Sequence, residues 1–176
     1  MKKYILALAI TLSGFAVSAQ KFAFIDSEYI LQHMPEYTSA LTQLDGTSKQ
    51  WQKVADDNFA EIDRMYKAYQ ADQVLLTEEM RKQRENDIIE KEKAAKEYQR
   101  LKFGPDGELF QMRNKLLEPI QTRVSETVAG IAKSKYIDFV FDRGSEATMM
   151  IYANSSYDLS DEVITKLGYK PGTNKN

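Results

Sequence analysis

Residues 37–72, YTSALTQLDGTSKQWQKVADDNFAEIDRMYKAYQAD, decide the architecture. Along them Tyr37, Leu41, Leu44, Ser48, Trp51, Ala55, Asn58, Ile62, Met65 and Tyr69 recur at alternating steps of four and three. This is a heptad seam over about 33 residues, with Ser48 and Asn58 as its polar members. It predicts one long helix packed along a partner helix. Pro35 suits the first turn of that helix, where a missing N–H costs nothing, and Met34 before it is steered out of the α region. At 1.5 Å per residue, Pro35 to Asp72 reaches roughly 55 Å, too long to lie inside a compact domain of this size.

The partner follows in sequence. Val74-Leu75-Leu76-Thr77 interrupts the charged pattern, and residues 73–77 read as a hairpin tip. Thr77 can cap a second helix whose first turn carries Glu78 and Glu79, where the helix dipole favours acids. The returning segment Glu78–Lys102 holds eight basic and seven acidic residues. Glu78/Lys82, Asp87/Lys91 and Glu92/Lys96 are pairs four residues apart with the acid first, the better order. Its apolar positions, Met80, Ile88, Ile89, Ala95, Tyr98 and Leu101, are enough for a thin seam. Phe103-Gly104-Pro105-Asp106-Gly107 then breaks the helix. Helical spacing resumes through Leu109, Met112, Leu116, Ile120, Val124, Val128 and Ile131, with a kink expected at Pro119. If the tip is centred on residue 75, Asp45-Gly46 lies opposite Gly104-Pro105. Both legs are then weakened at one level, which suggests a hinge at Gly46, Gly104, Pro105 and Gly107.

The two ends read differently. Phe22-Ala23-Phe24-Ile25-Asp26 is a short buried strand, followed by a short helix from Glu28 to about His33 with Ser27 as its cap. Near the other end, Ile137–Asp142 and Thr148–Ala153 read as two strands joined by Arg143-Gly144-Ser145. A last helix, Asp161 to Leu167, is capped by Ser160 and closed by Gly168. The expected fold is therefore α+β and mostly helical. Both chain ends, 20–36 and 135–176, form a small β body, and 37–134 protrude as a long α-helical hairpin arm. Three short strands are a marginal sheet, and a body this small buries little surface alone, so self-association is a physical expectation.

Composition narrows the function. The chain has 176 residues, 24 basic and 26 acidic, and a mean hydropathy of -0.51, which excludes a polytopic membrane protein. Its 43% apolar content argues against full disorder. With no Cys and one His, disulfides, thiolate catalysis and the common metal sites have no residues to build on. Every basic stretch is interleaved with acids, so no nucleic-acid interface is expected. No cofactor site and no catalytic constellation is apparent: Asp138 and Asp142 lack pocket-forming neighbours, and His33 reads as the end of a helix. Residues 1–19 read as a secretory signal peptide, with Lys2 and Lys3 before an apolar run and Val17-Ser18-Ala19 before Gln20. The mature chain would carry 22 basic and 26 acidic residues, and the expected location is the periplasm.

Taken together, these pieces resemble the Skp/OmpH family of periplasmic chaperones. The resemblance rests on the signal peptide and on Phe22-Ala23-Phe24-Ile25-Asp26 leading into Ser27-Glu28-Tyr29-Ile30-Leu31. It rests also on the charged helical middle, on Tyr136–Asp142, and on Tyr157-Asp158-Leu159-Ser160-Asp161-Glu162-Val163. It covers nearly the whole mature chain. It implies a jellyfish-like homotrimer with a small β-barrel body and three helical arms around a cavity. Unfolded outer-membrane proteins would be held there without ATP, and the chain would not be an enzyme. The best-studied members have basic arms, whereas this chain is acidic overall, which puts membrane or lipopolysaccharide contact in doubt.

A holdase needs many weak apolar contacts rather than one pocket. The apolar residues that the seam leaves unused are therefore the candidates for client binding: Val54 on one flank, Phe59 and Tyr66 on the other, and Val74, Leu75 and Leu76 at the tip. For each, packing within the hairpin is the structural alternative. The alternative function is a structural or adaptor coiled coil of the cell envelope with a folded partner.

Overall fold

The computed structural model describes residues 20–145 and 149–172. The expected signal peptide, 1–19, lies outside the described residues, as does Thr148. The elements are β1 (Phe22–Ile25), α1 (Ser27–Gln32), α2 (Pro35–Asp72), α3 (Glu78–Phe103), α4 (Glu108–Lys135), β2 (Phe139–Asp142), a 3-10 turn (Ser155–Tyr157) and α5 (Ser160–Lys166). The protein is mostly helical, with a small sheet built from its two ends and a long helical hairpin between them. It divides into two compact units, one of Met1–His33 with Ser125–Asn176, the other of Met34–Val124.

In the helical unit, α2 begins at Pro35, preceded by Met34 in extended conformation at the N-cap, with no side-chain cap. It runs without interruption through Gly46. Residues 73–77 join it to α3, whose cap is the Thr77 hydroxyl accepting from the Met80 N–H at 3.3 Å. Ile62 and Tyr69 of α2 pack with Ile88 and Ala95 of α3, and Met65 and Leu76 complete the cluster. Ala55 continues the same buried line. The heptad reading thus holds from residue 55 to residue 69.

It fails nearer the start of α2, where Leu41 is exposed and Ala40 is buried instead. The physical reason is that α3 ends at Phe103, so the first turns of α2 meet a different helix. Arg123 of α4 pairs with Glu36 there. A straight helix also drifts by about 20° per heptad against a 3.5-residue repeat, which suffices to move the inward position by one residue. On α3, Met80, Ile89 and Leu101 are exposed, and the thin seam reduces to Ile88 and Ala95 with partly covered Tyr98. The break between α3 and α4 is real: Gly104 caps α3, its N–H bonding the Arg100 carbonyl at 2.9 Å. Helix α4 passes through Pro119 as one element and buries Leu117, Ile120, Val124 and Ile131.

In the sheet-bearing unit, β1 and β2 pair in parallel, Phe22 opposite Phe139 and Ile25 opposite Asp142. Parallel neighbours require a long crossover, and the whole helical sequence supplies it. Side chains from one end of the chain pin the backbone of the other. The Asp142 carboxylate accepts from the Ser27 N–H at 3.0 Å, and the Ser160 hydroxyl accepts from the Asp26 N–H at 2.8 Å. Ile30 of α1 and Val163 and Ile164 of α5 are fully buried, so these two short helices close the core.

Three expectations are corrected here. The cap of α1 is Asp26, accepting from the Tyr29 N–H at 2.9 Å, because its carboxylate stands one residue nearer the strand than Ser27. Ser160 lies inside α5, and the Asp158 carboxylate accepts both its N–H and its hydroxyl. The strand expected at 148–153 does not form: residues 149–153 have no ladder. β1 is flanked on both sides, while the outer edge of β2 has no strand partner among the described residues. β2 takes one side of β1, and a bridge from Phe24 to Asp158, with the Leu159 N–H on the Phe24 carbonyl at 2.9 Å, takes the other.

Candidate functional site

Among the described residues no enclosed catalytic arrangement emerges from the geometry. Asp138 accepts the Lys21 backbone N–H at 2.8 Å, and Asp142 accepts those of Ser27 and Gly144, so both carboxylates serve the backbone. His33 packs against the Tyr29 ring with Nδ1 2.8 Å from the Tyr29 carbonyl. Among the described residues no group of three or more acids and histidines is placed to hold a metal ion. No described helix is long and apolar enough to cross a membrane.

What the surface does offer is apolar side chains in the open. Val74 and Leu75 at the tip are 89% and 81% exposed. Leu76 behaves differently: it packs onto the Ile62–Tyr69–Ile88–Ala95 cluster, and its carbonyl accepts from Arg81. Val54, Phe59 and Tyr66 are all exposed. Relative to buried Ile62, the helical rotation puts Phe59 and Tyr66 on one flank and Val54 on the other. The sequence reading missed Met80, Ile89, Leu101 and Phe110, which are exposed as well. Only the partner helix's true inward line, Ile88 and Ala95, separates such surplus residues from core.

Opposite charges pair along and across these helices. Asp45–Lys49, Asp63–Lys67, Glu78–Lys82 and Glu92–Lys96 pair along one helix, and Glu61–Lys91 pairs across the hairpin at 3.1 Å. Such solvent-facing pairs add little stability each, so they leave the apolar residues as the surface's distinctive feature. Three groups are perturbed, among them the Arg100 guanidinium, raised above its ordinary value by its hydrogen bond to Glu97. The hydrogen bond from Arg100 holds the Glu97 carboxyl below its ordinary range. The hydrogen bond that Tyr69 donates to Glu85, at 2.5 Å, raises the Tyr69 phenol above its ordinary value, with burial and the Glu85 charge adding to the effect.

At the α3–α4 break, Trp51 of α2 meets the Phe103 ring edge-on at 6.4 Å, and the Lys102 ammonium sits 4.6 Å from the Trp51 ring centre. The hairpin's symmetry, in which residue numbers across it sum to about 150, already places Trp51 near residue 99 and was a usable signal for this cluster. In the sheet-bearing unit, Phe22, Phe139 and Phe141 stack on one another yet remain about half exposed. The sequence reading took Phe22 as buried; only Ala23, Phe24 and Ile25 are. Met149, Ile151 and Tyr152 are almost fully exposed, and beside them lies an apolar hollow of about 740 Å³ lined by Phe22, Phe24, Phe141, Met150, Tyr152 and Tyr157, among others.

This arrangement has relatives. No curated protein matches the chain. A solved structure from Caulobacter crescentus CB15, assigned as an outer membrane chaperone (OmpH-like), shares its fold with a TM-score of 0.65 at 16% identity, over 90% of this chain and 91% of that one. Residues 21–167 match the family described as outer membrane protein (OmpH-like). With both the paired chain ends and the hairpin inside the matched span, the chain belongs to the OmpH-like family.

Proposed function

We propose that this protein is an ATP-independent periplasmic holdase. It binds unfolded outer-membrane proteins in a cavity between the helical hairpins of a homotrimer and keeps them from aggregating. The observation that carries the reading is the set of apolar side chains that the hairpin core does not use, above all Val74 and Leu75 at the tip. Val54, Phe59 and Tyr66 extend that set along α2. Scattered, shallow apolar contacts suit clients that differ in sequence, and several copies of each raise the local concentration of weak sites. Membership of the OmpH-like family supports the same reading. So does the half-exposed stack of Phe22, Phe139 and Phe141 with the open segment 149–152, which suits burial against further copies of this chain.

The joint at Gly104, Pro105 and Gly107 serves as a hinge in this reading. Gly46, inside an unbroken helix with open space around it, is the softest point of the opposite leg.

The test is dilution of a urea-unfolded outer-membrane β-barrel protein into buffer without nucleotide. About one trimer per client should suppress its light scattering. Unsuppressed aggregation, with capture of one folded envelope protein instead, would replace the holdase by the structural adaptor.

A further inference from the structure

Lys102 is unlike the other ion-paired lysines of the hairpin. Its side chain is 19% exposed, whereas those of Lys49, Lys67, Lys82 and Lys96 are 71–75% exposed. It is the penultimate residue of α3, and its ammonium touches three helices at once. It lies 4.6 Å from the Trp51 ring centre on α2 and 5.8 Å from the Tyr98 ring one turn back on α3. It is 2.5 Å from the carboxylate of Glu108, the first residue of α4. A Trp face is the best aromatic partner for a cation, and shelter from water strengthens both contacts.

The backbone beside it is held by short-range bonds only: the Gly104 N–H donates to the Arg100 carbonyl and the Gln111 N–H to the Gly107 carbonyl. α3 and α4 are separate helices, and the turn between them closes through the Gly107 N–H on the Gly104 carbonyl at 2.9 Å. Gly107 is buried, and a Cβ there would stand 2.9 Å from the Gly104 nitrogen and the Leu101 carbonyl. The Lys102–Glu108 pair is a side-chain contact that spans the same turn.

We infer that Lys102 is the latch of this joint: its ammonium, seated between the Trp51 face and the Glu108 carboxylate, holds α4 in one orientation against α2 and α3. The inference rests on the hinge reading of residues 104–107. Removing the charge frees the joint without removing a helix. Arginine in its place keeps the joint closed, since a guanidinium also stacks on Trp and pairs with a carboxylate.

The chain has no cysteine, so spin labels go where they are placed. Labels at Lys93→Cys on α3 and Lys115→Cys on α4, both exposed, report the joint. A second pair, Lys53→Cys and Lys93→Cys, reports the α2–α3 hairpin as a control. Labelled full-length chain is diluted with unlabelled chain to isolate distances within one copy. Lys102→Met should widen the α3–α4 distance distribution at least two-fold and leave the control pair unchanged, and Lys102→Arg should keep both narrow. Pro105→Glu separates the two readings, since a real hinge predicts a narrower α3–α4 distribution than the parent's. If Pro105→Glu narrows it and Lys102→Met changes nothing, the latch is overturned and the hinge stands. If neither variant alters it, both fall. If Lys102→Met also widens the control pair, Lys102 holds up the hairpin as a whole and the latch is overturned.

Discussion

The tip offers a separation of binding from stability. In the double variant Val74→Ser, Leu75→Ser the two side chains removed are 89% and 81% exposed, so folding loses almost nothing. The expected change in stability is within about 0.5 kcal/mol, the usual range for surface substitutions. Leu76→Ser is the contrast. Leu76 packs on the Ile62–Tyr69–Ile88–Ala95 cluster, and its loss should cost about 1–3 kcal/mol. For the client the order reverses. Fully burying a Val or Leu contributes about 1.5–3 kcal/mol, and a fluid client covering roughly half of each would gain about 2 kcal/mol from the pair. That corresponds to a rise in Kd of roughly 30-fold for one engaged tip, and more if several tips share the client. The assay is fluorescence anisotropy of a labelled outer-membrane β-barrel protein diluted from urea, beside urea denaturation of each variant at one fixed protein concentration. Unchanged affinity in the double variant would refute the tip as a contact. An affinity loss that merely follows a lowered urea midpoint would refute the division between Leu75 and Leu76.

Other outcomes follow from single positions. Gly46→Ala should stabilise the chain by about 1 kcal/mol, since a Cβ there meets nothing within 4 Å, whereas Gly104→Ala should destabilise it, its Cβ standing 2.4 Å from the Arg100 carbonyl oxygen; urea midpoints of the two variants check both signs. The Tyr69 phenol, raised above 10.0, contributes stability that is present below the ordinary tyrosine range and is lost as pH rises through the raised value. Tyrosinate absorbance should therefore show a late-titrating component that Tyr69→Phe removes. Phe139→Glu places a charge within the stack of Phe22 and Phe139, which is about half exposed in one copy. Light scattering should then report a smaller assembly, with helicity by circular dichroism retained.

The sequence by itself determined the elements that a period can encode. Heptad spacing in 55–69 needs only a partner helix, and the chain supplies one within five residues of turn, so local pattern and tertiary contact agree. The strands Phe22–Ile25 and Phe139–Asp142, the latter two residues shorter than the expected 137–142, were legible because short aromatic and β-branched runs bounded by helix signals have few other uses. The break at Gly104–Gly107 was legible because Gly and Pro act through their own backbones.

Tertiary structure alone decided matters that depend on what stands opposite. Met149–Ala153 has strand composition, yet it joins neither β1, flanked by β2 and Asp158, nor the outer edge of β2, because strand composition does not by itself supply a partner. Leu41 and Ala40 exchange places because the facing helix changes from α3 to α4 along α2. Leu75 and Leu76 are the same residue type side by side, and only the position of the Ile88–Ala95 line leaves one a free surface and packs the other, partly buried, onto the core. Lys102 reads in sequence as one more charge in a solvated run. It becomes singular only when Trp51, 51 positions earlier, is folded against it: hairpin symmetry brings the two to one level, but only packing decides which side chain seats on the ring.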